Sequence, residues 1–249
     1  MRLTTLACCA AAALWSSAAP AAEIKVLSAG AIQPGLERVV AQFRQASGHE
    51  IKVQFNTAPE IAKRLSEGYA ADILIAPPAV LDEQAKNGKV LGEARVPVGR
   101  VGAGVTVRAS APRPEIATTD ALKAAVLGAD ALVYNNASTG IYLDRLFARL
   151  GIADALKPKT TRYSNGEAVM EHIIKGKGNE IGFGAITEIK LFEQHGLKLV
   201  GPLPADIQNY TSYAAAPMTG ATAAADAKTF LAYLATGEAK QAFAAAGIE

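Results

Sequence analysis

Cysteine is nearly absent from this chain: the two it has, Cys8 and Cys9, both fall within the first ten residues. That stretch reads as a secretory leader, with Arg2 as its positive start, Leu3 to Trp15 as its apolar body and Ser16 to Ala22 as its small-residue end. Ala19-Pro20-Ala21 fits an A-x-A site, so cleavage is expected after Ala21 or Ala22, leaving residues 1–22 outside the mature protein. The mature chain then has no thiol, which excludes disulfides, thiolate metal sites and cysteine nucleophiles. A lipid anchor would need Cys8 or Cys9, and both precede the end of the apolar body.

An excess of charge of either sign is missing too. Lys and Arg number 25 against 23 Asp and Glu, for a formal net charge of +2, with no block of like charges. That balance carries no footprint for nucleic acid. Beyond the leader, no run approaches the ~20 apolar residues of a membrane span. Aromatic residues are 6% of the chain and alanines are many, which suits a soluble exported protein. The three histidines, His49, His172 and His195, lie in no cluster with metal-ligand spacing, and neither a Gly-x-Ser-x-Gly elbow nor a phosphate loop is present. No cofactor or metal is expected. His49 follows a helix-ending glycine and is expected in solvent, and His172 lies inside a helix.

What is present is alternation of strand and helix over roughly 227 mature residues, enough for one large or two small cores. Glu23 to Ser28 is a strand, Leu36 to Ser47 an amphipathic helix closed by Gly48, and Ile51 to Phe55 a second strand. Pro59 opens a helix through Leu65, Asp72 to Ala76 is a buried strand, and Ala79 to Asn87 is helical. Val96 to Val107 is a long strand interrupted by glycines, and Thr119 to Leu127 is a helix. The strand Ala131 to Tyr134 leads into Ser138 and Thr139 at an N-cap position and a helix ended by Gly151. Thr161 to Ser164, Glu180 to Gly184, Leu197 to Val200 and Tyr210 to Ala216 are extended. Ala168 to Lys175, Ile186 to His195, Ala224 to Thr236 and Ala239 to Ala245 are helical. Such alternation predicts α/β architecture, parallel sheets with helices on their faces.

In such sheets ligands sit at the carboxyl ends of strands. Three turns there are small, polar and helix-initiating: Asn56-Thr57-Ala58, Ser138-Thr139-Gly140 and Asn165-Gly166-Glu167. Each offers backbone N–H groups and a positive dipole end to an anion. The plainer reading of Asn56-Thr57 is an N-cap for the helix entered at Pro59. Tyr142, one turn into its helix, can reach the cleft or pack. Arg100 can pair a ligand carboxylate or tie two lobes together, and Arg162 is a weaker candidate of the same kind.

Several segments together resemble the periplasmic molybdate-binding proteins, a branch of the type II solute-binding proteins of ABC transporters. They are Val26-Leu-Ser-Ala-Gly-Ala31, Ala62-Lys-Arg-Leu with Ala71-Asp-Ile-Leu-Ile-Ala76, Thr139-Gly-Ile-Tyr142, Gly166-Glu-Ala-Val169, Glu180-Ile-Gly-Phe-Gly184 and Gly201-Pro-Leu-Pro204. The resemblance implies a two-lobed periplasmic-binding-protein type II fold, with a hinge of two crossing strands near Val98 to Val107 and Tyr210 to Ala216. Lobe 1 would hold 23–104, lobe 2 would hold 105–206, and 207–249 would return to lobe 1. It also implies a monomer that captures a small anion in the periplasm, closes over it and presents it to a permease.

The ligand set implied by the resemblance departs from the molybdate pattern. The hydroxyl and tyrosine positions fall on Ala31, Ala58 and Ala185, and the two backbone donors on Thr139 and Val169. Each lost donor in a desolvated site costs ~1–3 kcal/mol, so a larger organic anion, a di- or tricarboxylate, is expected instead. Asn56, Thr57, Ser138, Tyr142 and Arg100 are then candidate contacts. Periplasmic aconitate isomerase also resembles this family, and its allylic proton shift needs only one acid/base group and donors for a carboxylate. Glu60, Tyr142 and Glu167 are the candidate proton-transfer groups for that alternative.

Overall fold

The computed structural model of the chain describes residues 23–249; the expected leader lies outside the described residues. β1 (Glu23–Ala29) alternates exposed and buried residues at its start and buries everything from Val26 on. A strand with helices on both faces behaves this way as it enters the middle of a sheet. Three βα units follow one another here. α1 (Gln33–Ser47) buries Leu36, Val39, Val40 and Phe43 and stops at Gly48, whose φ of 73° suits glycine. β2 (Glu50–Asn56) leads to α2 (Ala58–Ser66), and β3 (Ile73–Ala76), buried throughout, leads to α3 (Pro78–Lys86).

The second array repeats the plan. β4 (Val96–Arg108) is followed by α4 (Thr119–Gly128), β5 (Ala131–Asn135), α5 (Ser138–Arg149) and the short α6 (Ala153–Leu156). Next come β6 (Thr160–Tyr163), α7 (Gly166–Lys175), β7 (Glu180–Ala185), α8 (Ile186–Leu191) and β8 (Leu197–Pro202). β9 (Tyr210–Pro217), α9 (Ala224–Leu234) and α10 (Gly237–Ala245) close the chain.

Strand order is β2-β1-β3-β9-β4-β7-β5-β6, with β8 also on β4. β1 pairs in parallel with β2 and β3, and β5 with β6 and β7, as βα crossovers require. β4 is shared: Val96 to Gly102 pair with β9, and Ala103 onward pair with β7 and β8. One strand thus runs out of one lobe's sheet into the other's. Ile24, Val26, Phe43, Ile73, Phe230 and Phe243 pack in one core, and Leu132, Tyr134, Leu143, Phe147 and Phe183 in another. At the hinge the register of β4 shifts between Pro97 and Gly99. Gly99 has φ of 153°, and a Cβ there would stand 2.6 Å from Ile248 Cγ2, so only glycine fits this bulge.

Three local expectations are revised. The helix after β7 ends at Leu191, with a separate 3-10 turn over Glu193–His195. His49 is half-buried, stacked on Phe43 and 3.6 Å from Asp226, because the chain turns back onto α9 instead of entering solvent. Ser138 and Thr139 are not caps. Ala137 is the N-cap of α5 and makes no side-chain bond, while Asn135 Oδ1 accepts from Ala137 N–H at 3.0 Å. The turn is held by Asn135, three residues before Ser138, and the two hydroxyls become the first helical residues.

Candidate functional site

Five strands end at the same place. Ala29 of β1, Asn56 of β2, Pro77 after β3, Asn135 of β5, Ala185 of β7 and Tyr213 of β9 line a small inner pocket of about 30 Å³. Its walls are small: Ala29, Gly30, Ala31, Ala58, Ala137 and Ala185 present methyls or bare backbone. Asn56, Thr57, Asn135, Ser138, Thr139 and Tyr213 bring amides and hydroxyls. The start of α5, with no side-chain cap, adds backbone donors and a positive dipole end. Among the described residues no lysine or arginine lines it. Asn56 Oδ1 is buried without a partner.

A larger outer pocket, about 630 Å³, lies beside it between the faces of the two lobes. Glu60, Arg64, Asn165, Glu167 and His195 line it, and four residues line both pockets: Gly30, Asn56, Thr57 and Glu188.

Glu188 lies in the first turn of α8 and reaches back between the lobes. A Cβ on Gly30, in lobe 1, would stand 2.7 Å from its Oε1, and one on Gly166, in lobe 2, 2.8 Å from its Oε2. The carboxyl therefore fills space that two glycines leave open. Burial pushes its pKa up to about 7, and the Ala185 N–H that donates to it opposes this only in part. Tyr213 is pushed up as well, first by burial and then by the charge of Glu188, against a bond with Thr211.

The lobes are closed, and named bonds hold them so. Thr57 Oγ1 donates to Ser164 O at 2.7 Å, and Thr187 Oγ1 to Ala31 O at 2.7 Å. Glu60 accepts from Thr57 N–H at 3.2 Å, starting α2, and from Ser164 Oγ and Asn165 Nδ2 of the other lobe at 3.3 Å each. Burial alone would raise the Glu60 carboxyl, but these donors and Asn56 outweigh it and hold it below its ordinary value. Thr187 is fully buried. Thr187→Val keeps its shape and leaves Ala31 O unpaired, at a cost of about 1–2 kcal/mol to the closed form. The variant is expected to bind any cleft ligand about tenfold more weakly by calorimetry and to melt about 2–8 °C lower without ligand.

The sequence candidates fall into two groups. Ala31, Asn56, Thr57, Ala58, Ser138, Thr139 and Ala185 meet at the inner pocket, and Glu60 and Glu167 line the outer one. Tyr142, Arg100, Val169 and Arg162 stand elsewhere. Tyr142 points along lobe 2, its hydroxyl donating to Ile207 O at 2.6 Å. Arg100 sits over the Tyr210 ring and pairs with Glu249 at 2.9 Å, on the hinge strand. Val169, expected as a backbone donor, lines neither pocket, and its side chain packs with Val133 and Met170. Arg162 pairs with Asp144 at 2.7 Å and donates to Asn135 O, behind the pocket wall. His172 is held by Tyr163, its Nδ1 2.9 Å from the hydroxyl.

Glu188, Tyr213 and Asn135 were not singled out from sequence. Glu188 reads as an ordinary charge in Ile-Thr-Glu-Ile, and its only trace is the pair of glycines that make room for it, 158 and 22 residues away.

Residues 24–249 match the bacterial extracellular solute-binding protein family. A protein named aconitate isomerase, from Pseudomonas sp., is 29% identical over 241 residues, covering 94% of this chain and 90% of its own. Among solved structures, the Azotobacter vinelandii periplasmic molybdate-binding protein superposes with a TM-score of 0.76 at 18% identity, over 91% of this chain and 98% of its own. The sulfate-binding protein SubI of Mycobacterium tuberculosis superposes with a TM-score of 0.75 at 17% identity, over 91% and 86%. At such identities these two likenesses establish the fold, a type II periplasmic-binding-protein fold.

Proposed function

We propose that this chain, which belongs to the bacterial extracellular solute-binding protein family, closes its two lobes over a small organic polycarboxylate, with aconitate as the first candidate. The observation that carries this reading is the paired pocket. The inner chamber has methyl walls, hydroxyl and amide groups and the open start of α5, a setting for one carboxylate. The outer chamber brings Arg64 within the same cleft for a second carboxylate. Tetrahedral oxyanions are a poorer match, because Ala31, Ala58 and Ala185 supply no hydroxyl to replace their hydration. In this reading the protein captures its ligand outside the cytoplasmic membrane for an ABC permease.

A second reading, catalysis, is favoured by two things: the relative named aconitate isomerase and a carboxyl in the cleft whose protonation changes near neutrality. Calorimetric titration with trans-aconitate, tricarballylate, molybdate and sulfate tests the ligand class shared by both readings. Heat is expected with the two tricarboxylates alone. At a concentration 100-fold above Kd the stabilisation would be about 2.7 kcal/mol, raising the melting temperature by ~5–11 °C. Binding of molybdate or sulfate alone would return the chain to the oxyanion class.

A further inference from the structure

We propose that Glu188 is a catalytic residue that carries a proton across the allylic carbons of an unsaturated tricarboxylate lying through both chambers. The proposal rests on the polycarboxylate reading above and assigns a reacting group to it. Three features of the fold point to this carboxyl. It lines the inner and the outer chamber at once, so a ligand with one carboxylate at the start of α5 and another toward Arg64 has its carbon chain beside it. It is wedged from two sides, by Gly30 of one lobe and Gly166 of the other, so closure of the lobes fixes its position. And it has no lysine or arginine partner among the described residues, so only the Ala185 N–H stabilises its ionised form.

The step balances without a co-reactant. The Glu188 carboxylate takes a proton from the methylene carbon. The electron pair of that C–H bond forms a new double bond to the central carbon, and the old double bond's pair moves toward the outer carbon and its carboxylate. Glu188, its acquired proton exchanging with water between the two steps, then delivers a proton to that outer carbon. One C–H bond breaks and one forms, the double bond moves by one position, and nothing is oxidised or reduced. Hydroxyls at Ser138 and Thr139 and the N–H groups of α5 are placed to hold the charge that develops on the carboxylate. Glu60, by contrast, is engaged by donors from both lobes and held in its ionised form, which suits a latch better than a proton carrier.

The alternative role for Glu188 is structural, as the side chain that receives the Ala185 N–H at the start of α8. Glu188→Gln separates the two, since the amide oxygen still accepts that bond and the side chain keeps its volume while losing proton transfer. The experiment is proton NMR of trans-aconitate with the protein in heavy water, following deuterium entry at the methylene position and the appearance of cis-aconitate. Wild type is expected to exchange, with a rate that follows an ionisation near pH 7. Glu188→Gln is expected to bind trans-aconitate within about threefold of wild type by calorimetry and to exchange about 10²–10⁴-fold more slowly. Exchange in Glu188→Gln at the wild-type rate, or a wild-type rate flat from pH 5 to pH 9, would overturn the assignment. Wild-type protein that binds trans-aconitate but exchanges nothing would overturn it while leaving the binding reading intact. Absence of binding to any tricarboxylate would remove both.

Discussion

Gly140→Ala is expected to lower the melting temperature by about 6–12 °C and to abolish ligand retention in the cleft. A Cβ at this position would stand 1.7 Å from Asn135 O and 2.9 Å from Asn135 C. Both are backbone atoms at the end of β5, and Arg162, which donates to that carbonyl at 3.1 Å, would itself stand 3.0 Å from the added Cβ. No side-chain rotation relieves the overlap, so the first turn of α5 has to lift away from the strand. A clash of this kind costs about 3 kcal/mol, the upper end of the usual range for overpacking, and each kcal/mol is worth roughly 2–4 °C in a chain of this size. The lifted turn is the one that carries Ser138 and Thr139, so binding and stability are expected to fail together. Gly128→Ala is the control: nothing lies within 4 Å of its added methyl, and its melting temperature is expected to stay at or slightly above that of wild type. Differential scanning calorimetry of the two variants beside wild type decides the matter.

Asp72→Asn is expected to cost about 2–4 kcal/mol at neutral pH. The side chain is buried, and its two oxygens accept from four donors: Lys25 N–H, Thr222 N–H and hydroxyl, and Ala223 N–H. These tie the start of β3 to β1 and to the entry of α9, some 150 residues away. An amide in place of the carboxylate turns one acceptor into a donor facing donors. The pH dependence has a definite sign. Burial alone would raise the Asp72 carboxyl, but the Ala223, Lys25 and Thr222 donors outweigh it and hold it below its ordinary value of 3.8. Its contribution is therefore complete above about pH 4 and is lost as pH falls through the lower, folded-state value. The difference between wild type and Asp72→Asn, measured by urea unfolding, should be largest near pH 7 and shrink below pH 4. A gap that stays constant down to pH 3 would mean that the carboxylate charge has no part in it.

The strand-helix alternation was legible because its signals are local. Gly48 and Gly151 stop helices, Pro59 starts one, and Ile24, Val26 and Leu27 keep the period of a strand turning inward. The cleft was legible in outline for the same reason: a turn after a parallel strand must face the sheet's carboxyl edge, whatever its residues do there. The direction of each side chain was another matter. Ser138 and Thr139 have the composition of a cap, yet Asn135, three residues before Ser138, holds the turn, a difference that spacing alone does not carry. Arg100 was open between a ligand and an ion pair, and its partner Glu249 lies 149 positions on, with no local mark. Tyr142 follows the cleft turn closely in sequence, but it sits one turn along the helix and its hydroxyl is taken up by Ile207 O. Glu188 shows the limit most clearly. Its environment is assembled from Gly30, Gly166 and Tyr213, three separate segments, and none of them says in isolation that a carboxyl belongs between them.

The bonds that join the two lobes are made by hydroxyls and amides: Thr57 to Ser164, Thr187 to Ala31, and Ser164 and Asn165 to Glu60. Every ion pair among the described residues stays within one lobe or on the hinge strand. Dissolved salt shortens the reach of exposed charges, from about 30 Å in 0.01 M to about 8 Å in 0.15 M, and so weakens any clasp made of lysines and carboxylates. Here it has little to act on. The unliganded closing equilibrium should hold nearly constant from dilute to brackish surroundings, and ionic strength should be felt through the ligand's own charges alone.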